Sequence, residues 1–386
     1  MRIAVLSRNF STSAGGAERY AIAIVDELAA QHEVHVFCQM RDHDLPNVVY
    51  RKVPRFFARP RWLNQLFFSA YTWALTRQRF DVVHSHENTW HGDVQTAHVL
   101  PVRANHFTGI RGWRRWARWL QVLSSPRLLA YLWLEARRFG VQPQRSVVCV
   151  SKTLLEVMQQ AFPAAAASMQ ILAPGLRDIP GQASTPERCA ARQALGLPED
   201  GYCVLFIGRQ IRKKGLPALL QAMQLLDPRF YLLAIGSSEL EGAMHGLVRA
   251  VGLESRVRVL GSLSQIELAY RAADCLAHPT LEDTYAMVVL EAMSHGLPVI
   301  VSSAQYCGIS AELVDGVDAL ILANPQSAPA LAQTIERVAG DPILCAGLAQ
   351  AGVAFARQRS WPKVAAGYQA IYQRIVELRK PSLRTR

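Results

Sequence analysis

Leu281–Ile300, LEDTYAMVVLEAMSHGLPVI, sets two acids, Asp283 and Glu291, eight residues apart around a short apolar run. A helix starting near Tyr285 is predicted, with Glu291 about two turns in and Asp283 in the loop before it. A helix start exposes N–H groups without partners and carries partial positive charge, a combination that suits a diphosphate. A carboxylate at each end of such a site can grip sugar and ribose hydroxyls. Spacing alone leaves open an ordinary amphipathic helix with solvated acids.

Outward from this segment, short β-rich runs alternate with helical patterns. Before it come YCVLFIG from Tyr202, a helix from Gly215, FYLLAIG, a helix from Leu240, RVRVL and CLAHP; PVIV follows. The N-terminal half has the same rhythm: Arg2–Ser7, a Gly-containing loop, a helix from about Arg19, then Val34–Phe37, Asp81–Ser85 and Ser146–Val150. Such alternation predicts parallel sheets covered by helices on both faces. Pro174–Pro198, rich in Pro, Gly, Ser and Thr, is read as a linker. The expected architecture is α/β: two doubly wound, Rossmann-like domains facing a cleft. The stretch from Trp361 to Arg379 is helical in pattern, with Val364, Tyr368, Ile371 and Ile375 on one stripe.

At 386 residues the chain is long enough for two cores. No run approaches the roughly 18 apolar residues of a spanning helix, and the N-terminal apolar run is too short for a signal-peptide core. Seven scattered cysteines without a CxxC pair read as reduced thiols in a cytosolic protein. The net charge of +12 is uneven: residues 1–170 carry 21 Lys+Arg and 11 Asp+Glu, leaving +2 for the rest. An anionic partner is therefore expected on the N-terminal half.

Asp283 through Pro298 resembles the E-x7-E block of retaining glycosyltransferases of family 4, two-domain GT-B enzymes that use nucleotide-sugar donors. Gly208-Arg209 with Lys213-Lys214-Gly215 is similar to the family's GR…KG diphosphate loop. Arg256–Gly261 resembles the strand that presents backbone to the base, here at Val259. Ala14–Arg19 (AGGAER) places Gly15 and Gly16 where the family has a GG loop, and His98 matches a histidine near the donor's anomeric carbon. The AGGAER run is not the G-x-G-x-x-G fingerprint, which speaks against NAD.

The resemblance implies a catalytic set of His98, Arg209, Lys214 and Asp283. The implied donor site adds Gly15, Gly16, Val259, Ala286, Met287 and Glu291. It also implies domains 1–172 for the acceptor, with residues 361–386 packing back on it, and 173–360 for the donor. Transfer would retain anomeric configuration, with Arg209 and Lys214 neutralising the departing diphosphate and no metal or other cofactor needed. Uridine is the expected base, from family frequency. Departures from the pattern are Asp283 for the first Glu (with Glu282 beside it), Ala286 where Gly is preferred, and Pro174 for a common Asn. They leave the donor sugar open. Asp42-His43-Asp44 spells the DxD of the other large glycosyltransferase fold but is read as a solvated loop. His84, His86, Glu87 and His91 lack the spacing of a zinc site.

Gly112–Leu120, GWRRWARWL, packs three tryptophans and three arginines into nine residues. On a helix, Trp113, Trp116, Trp119 and Leu120 sweep one face while Arg114, Arg115 and Arg118 occupy the other. That suits an anionic bilayer interface. The alternatives are a crossover helix burying its indoles on the sheet, and RNA binding, for which no RNP-like or KH-like motif is present. Arg51–Trp62 (RKVPRFFARPRW) is a second basic, aromatic run. Some lipopolysaccharide-core glucosyltransferases of the resembled family carry a similar insertion. The expected protein is thus a cytoplasmic transferase, peripheral on the inner membrane, acting on a lipid-linked or lipopolysaccharide acceptor and not on nucleic acid. A soluble-acceptor transferase of the same fold and a basic nucleic-acid-binding protein are the competing readings.

Overall fold

The computed structural model describes residues 1–12, 15–57, 59–107, 109–142, 144–263 and 265–379. Ala14 of AGGAER, Ala58 of the second basic run and residues 380–386 lie outside the described residues.

The chain divides into two compact units, residues 1–175 with the chain from Trp361, and Leu176–Ser360. The first is built on β1 (Arg2–Leu6), β3 (Glu33–Cys38), β5 (Val48–Lys52), β6 (Val82–Ser85), β7 (Val94–Ala97), β8 (Ser146–Cys149) and β9 (Met169–Ile171). These form one sheet in the order β5-β3-β1-β6-β7-β8-β9. Every pairing in it is parallel. A side pair, β2 (Asn9–Phe10) and β4 (Met40–Arg41), extends the loops after β1 and β3. The second unit carries β10 (Tyr202–Ile207), β11 (Phe230–Ile235), β12 (Val257–Leu260), β13 (Cys275–His278), β14 (Val299–Ser302) and β15 (Leu320–Leu322). Their order is β12-β11-β10-β13-β14-β15, again all parallel.

The near-continuous apolar runs seen in the sequence are strands covered on both faces, as parallel sheets require. In β10, Cys203 to Phe206 are all buried. Val204, Phe206, Leu232 and Ala277 join Leu216, Leu219, Leu331 and Ile335 from the covering helices in one core. In both sheets the strand order reverses at the first strand, β1 or β10, where doubly wound folds open a crevice at the carboxyl ends.

The helix Trp361–Arg379 crosses back to the first unit and packs on the helix Gly16–Ala29. Val364, Tyr368, Ile371 and Ile375 are buried there. The Pro174–Pro198 stretch is not a linker throughout. It holds a helix, Thr185–Leu195, opened by a capping box in which Ser184 and Glu187 bond reciprocally and closed at Gly196 in the left-handed region. Among the described residues, no single helix is long and apolar enough to cross a membrane.

Candidate active site

In the second unit, two loops leave the carboxyl ends of the adjacent strands β10 and β13 and are tied together. Leu281 N–H donates to the Lys213 carbonyl at 2.8 Å, and the Thr280 hydroxyl donates to the same oxygen at 3.2 Å. Two glycines make this approach feasible. A Cβ on Gly208 would stand 2.9 Å from the Lys214 Cβ. Gly215 has φ +86°, and a Cβ there would meet the Pro279 carbonyl oxygen at 1.9 Å.

The result brings Lys214 and Asp283, 69 residues apart, into an ion pair: Nζ to Oδ2 is 2.5 Å. Lys214 also donates to the Glu282 carbonyl at 3.2 Å, while the Glu282 side chain pairs with Lys213 at 2.6 Å. Asp283 Oδ2 faces His278 Nε2 at 3.2 Å, and Oδ1 accepts from the backbone N–H of Ala286 at 2.9 Å and of Tyr285 at 3.3 Å. Desolvation works to raise the Asp283 pKa, but the His278 hydrogen bond and the Lys214 charge outweigh it and hold the carboxyl far below its usual range. Burial lowers the His278 pKa, so its Nε2–H donates from a neutral ring.

The helix of the E-x7-E segment runs Met287–Ser294, beginning two residues later than the sequence suggests. Glu291 is therefore little more than one turn in. Its Oε2 accepts from the Tyr270 hydroxyl at 2.6 Å, and Tyr270 is buried and stacked on His295. The delay comes from Ala286, the residue before the helix, which sits at φ 73°, ψ 70°. An L side chain rarely adopts that left-handed conformation, and glycine does so without strain. The preference for Gly at the matching position of the resembled family thus has a backbone reason, and here Ala bears the strain. Met287 and Val288 supply the first N–H groups of the helix, which have no i−4 carbonyl.

Arg209 and Val259, also expected in this unit, come from the loop after β10 and from β12. Arg209 is exposed at the start of its loop. Val259 is buried on β12, at the sheet edge, so any contact it makes to a ligand is through backbone.

In the first unit Gly15 is the extended residue before the helix Gly16–Ala29, with no side-chain cap. Tyr20 on that helix lies edge-on to His98 at 5.1 Å between ring centroids. His98 follows β7 and meets His86 ring to ring, Nδ1 of His86 to Nε2 of His98 at 2.9 Å. Desolvation, with Arg138 adding to it, pushes the His98 pKa down to about 3, so the ring is neutral at pH 7. His84 belongs to a buried polar network instead. Its Nδ1 meets the Tyr372 hydroxyl and its Nε2 the Thr96 hydroxyl, both at 2.7 Å, and Tyr368 bridges Thr96 and Tyr20. Asp42 of the DxD accepts from the Ser11 hydroxyl at 2.5 Å and Thr12 N–H at 3.1 Å, and so ties two loops. His86 and Tyr270 are the residues that sequence reasoning passed over as partners of His98 and Glu291.

The helix Trp113–Leu123 buries only Val122. Trp113, Trp116 and Trp119 are 76%, 67% and 44% exposed, and Leu120 and Leu123 are also open, so the alternative of indoles packed on the sheet does not hold. Glu135, the lone acid in this arginine-rich stretch, is buried and accepts from the N–H groups of Val102 and Arg103 at a helix start.

Residues 187–354 match the family of glycosyl transferases group 1, and residues 14–177 match glycosyltransferase family 4. A D-inositol 3-phosphate glycosyltransferase of Actinosynnema mirum is 31% identical over 223 residues, 53% of this chain and 52% of that protein. The chain spans about half the length of the curated relatives it matches. Among solved structures, WaaG, a glycosyltransferase involved in lipopolysaccharide biosynthesis, aligns at a TM-score of 0.83 with 20% identity, covering 96% of this chain and 99% of that one. Anabaena Alr3699/HepE, solved in complex with UDP and glucose, aligns at 0.73 with 20% identity over 97% and 99%. At these identities the structural likeness speaks to the fold, which is GT-B. The two matches follow one another along the chain, a glycosyltransferase family 4 region and then a glycosyl transferases group 1 region, each under half of its length, and together they mark it as a glycosyltransferase.

Proposed function

We propose that the protein is a retaining glycosyltransferase that moves a sugar from a UDP-sugar to a lipid-linked or lipopolysaccharide-core acceptor. The observation that carries this reading is the Lys214–Asp283 pair, set beside a helix start at the carboxyl ends of two adjacent strands. A diphosphate placed there meets Lys214, Arg209 and the first N–H groups of the helix, while Glu291, oriented by Tyr270, accepts from ribose hydroxyls. In transfer, the bond from the anomeric carbon to the diphosphate oxygen breaks. The acceptor oxygen bonds to that carbon on the same face, and its proton passes to the departing diphosphate. The cations neutralise the charge as it grows, so no metal is needed. Neutral His98, and Gly15 and Gly16 at their helix start, are the groups of the first unit assigned to the acceptor and the sugar in this reading.

The helix Trp113–Leu123 supports work on a membrane. Its exposed indoles fit headgroup depth, and Arg114 and Arg115 are exposed beside them for lipid phosphates. The enzyme would then sit peripherally on the cytoplasmic face of the inner membrane. The test is a thermal-shift and turnover screen of UDP, GDP, ADP and their sugars, with the product anomer read by NMR. A UDP-sugar should stabilise the protein and give a product of retained configuration. If no nucleotide sugar is bound or turned over, the reading fails.

A further inference from the structure

A cavity of about 410 Å³ opens in the first unit among the helix Arg61–Thr76, the helix Pro126–Arg138 and the turn entering β7. It lies at the opposite end of β7 from His98. His91, Gly92 and Asp93 of its wall precede the strand, and His98 follows it. Nothing in the donor or acceptor reading uses it.

Three indoles line the cavity. The rings of Trp90 and Trp133 meet at 5.6 Å, and Trp73 and Trp133 remain 41% and 46% exposed. Indole faces left open in a concave site are platforms for the apolar C–H face of a pyranose, with hydroxyls turned to polar groups at the edge. Those groups are present. Gln142 and Arg137 stand exposed at the rim, and neither ring nitrogen of His91 has a hydrogen-bond partner although both are buried. A buried polar atom left unpaired is costly, and a ligand hydroxyl would relieve it. The His91 carbonyl is held by the Thr89 hydroxyl at 2.8 Å and the Gln95 amide at 2.6 Å, which fixes the residue in place. Desolvation and Arg145 push its pKa down to about 3, so the neutral ring offers one donor and one acceptor.

The charges sort into committed and available. Arg145 is spent on the carbonyls of Trp90, Gly92, Arg137 and Arg138. Asp93 accepts from Val83 N–H and pairs with Arg379. Arg137 instead lies over Trp133 at 6.0 Å, and Arg77 over Trp73 at 4.9 Å, so guanidinium groups flank the indole platforms. This favours an anion over the cation that an aromatic cage would otherwise suit. We infer that the cavity is a second saccharide site, for a pyranose bearing a carboxylate or a phosphate.

The test uses the full chain with UDP in saturating amount and follows tryptophan fluorescence on titration with glucuronate, glucose 6-phosphate, glucose and inorganic phosphate. One acidic sugar should give saturable quenching at least tenfold tighter than glucose and than phosphate, and which one does so identifies the charged group. Arg137→Ser and Trp133→Leu, both at exposed positions, should each weaken that binding tenfold or more. The readout stands whether or not UDP binds, so failure of the donor reading is seen separately, in the turnover assay. No saturable quenching by either acidic sugar, phosphate binding as tightly, or unchanged affinity in Arg137→Ser would overturn the inference.

Discussion

The Lys214–Asp283 region and the helix Trp113–Leu123 are both charged, yet they handle charge in opposite ways. Around Asp283 each carboxylate oxygen has partners, drawn from a cation 69 residues away, a neutral histidine and two backbone N–H groups. Along Trp113–Leu123 the arginines and indoles point mainly to solvent, and one residue, Val122, is buried. The first arrangement exists only because a parallel sheet brings two loops together. The second is written in eleven consecutive residues and needs little from the fold beyond an anchor. Chemistry at the first is therefore sensitive to single substitutions, whereas binding at the second is a sum over several.

The largest effect is expected at Lys214. Lys214→Ala should lower turnover by 10²- to 10³-fold, about 3 kcal/mol of lost charge stabilisation. It should also destabilise the second unit by about 2 kcal/mol, since it leaves Asp283 partly buried without its cation. Because the folded pKa of Asp283 is depressed, its contribution is complete above the unfolded value of about 3.9 and is lost as pH falls from there. The stability gap between wild type and variant should accordingly stay constant down to about pH 4 and narrow as pH falls below it. Arg209→Ala, at an exposed position, should lose turnover without that stability cost. A Lys214→Ala enzyme with normal turnover would end the donor-site reading.

Next is the surface helix. Replacing Arg114, Arg115 and Arg118 by Ser should reduce sedimentation with anionic vesicles by up to two orders of magnitude, at about 1 kcal/mol per arginine near an anionic leaflet. Transfer to a detergent-solubilised acceptor should stay near wild type. Vesicle binding that survives both the substitutions and high salt would show that the contrast between the regions is not one of charge.

Glu291→Gln should cost about tenfold in UDP affinity, because an amide accepts ribose hydroxyl bonds less strongly than a carboxylate. Asp283→Asn should act more on which sugar is transferred. Equal losses of free-UDP affinity in both variants, read by calorimetry, would erase that division of roles.

The same contrast explains what was legible beforehand. Strands such as YCVLFI and FYLLAI announce themselves by continuous burial, and the stripe on Trp361–Arg379 by its period; both are local signals. The helix Thr185–Leu195 was equally local, but its Ser-Thr-Pro-Glu start reads as linker composition unless the capping box is recognised. The exposed indoles could be placed on one helix face, yet not on the outside, because amphipathicity does not say which face the fold covers. Partners were the least visible. Tyr270 lies 21 residues from Glu291 and His86 twelve from His98, and each pair meets only through tertiary packing.

Ala286 gives the smallest and most pointed test. Its positive φ costs an L-residue on the order of 1 kcal/mol, and in that conformation its N–H is held by Asp283 Oδ1 at 2.9 Å. Ala286→Gly removes the strain but gives the unfolded chain more freedom to lose, which offsets part of the gain. The net expectation is a stabilisation of about 0.5 kcal/mol, read as a small rise in the unfolding midpoint of the second unit. Ala286→Val should do the reverse and more strongly, since a β-branched residue fits the left-handed region worse. In Asp283→Asn, where the amide oxygen accepts that N–H less strongly, the benefit of glycine should shrink. A stabilising effect of Ala286→Gly that ignores Asp283 would mean the loop conformation is set elsewhere, and that the carboxylate acts on the donor alone.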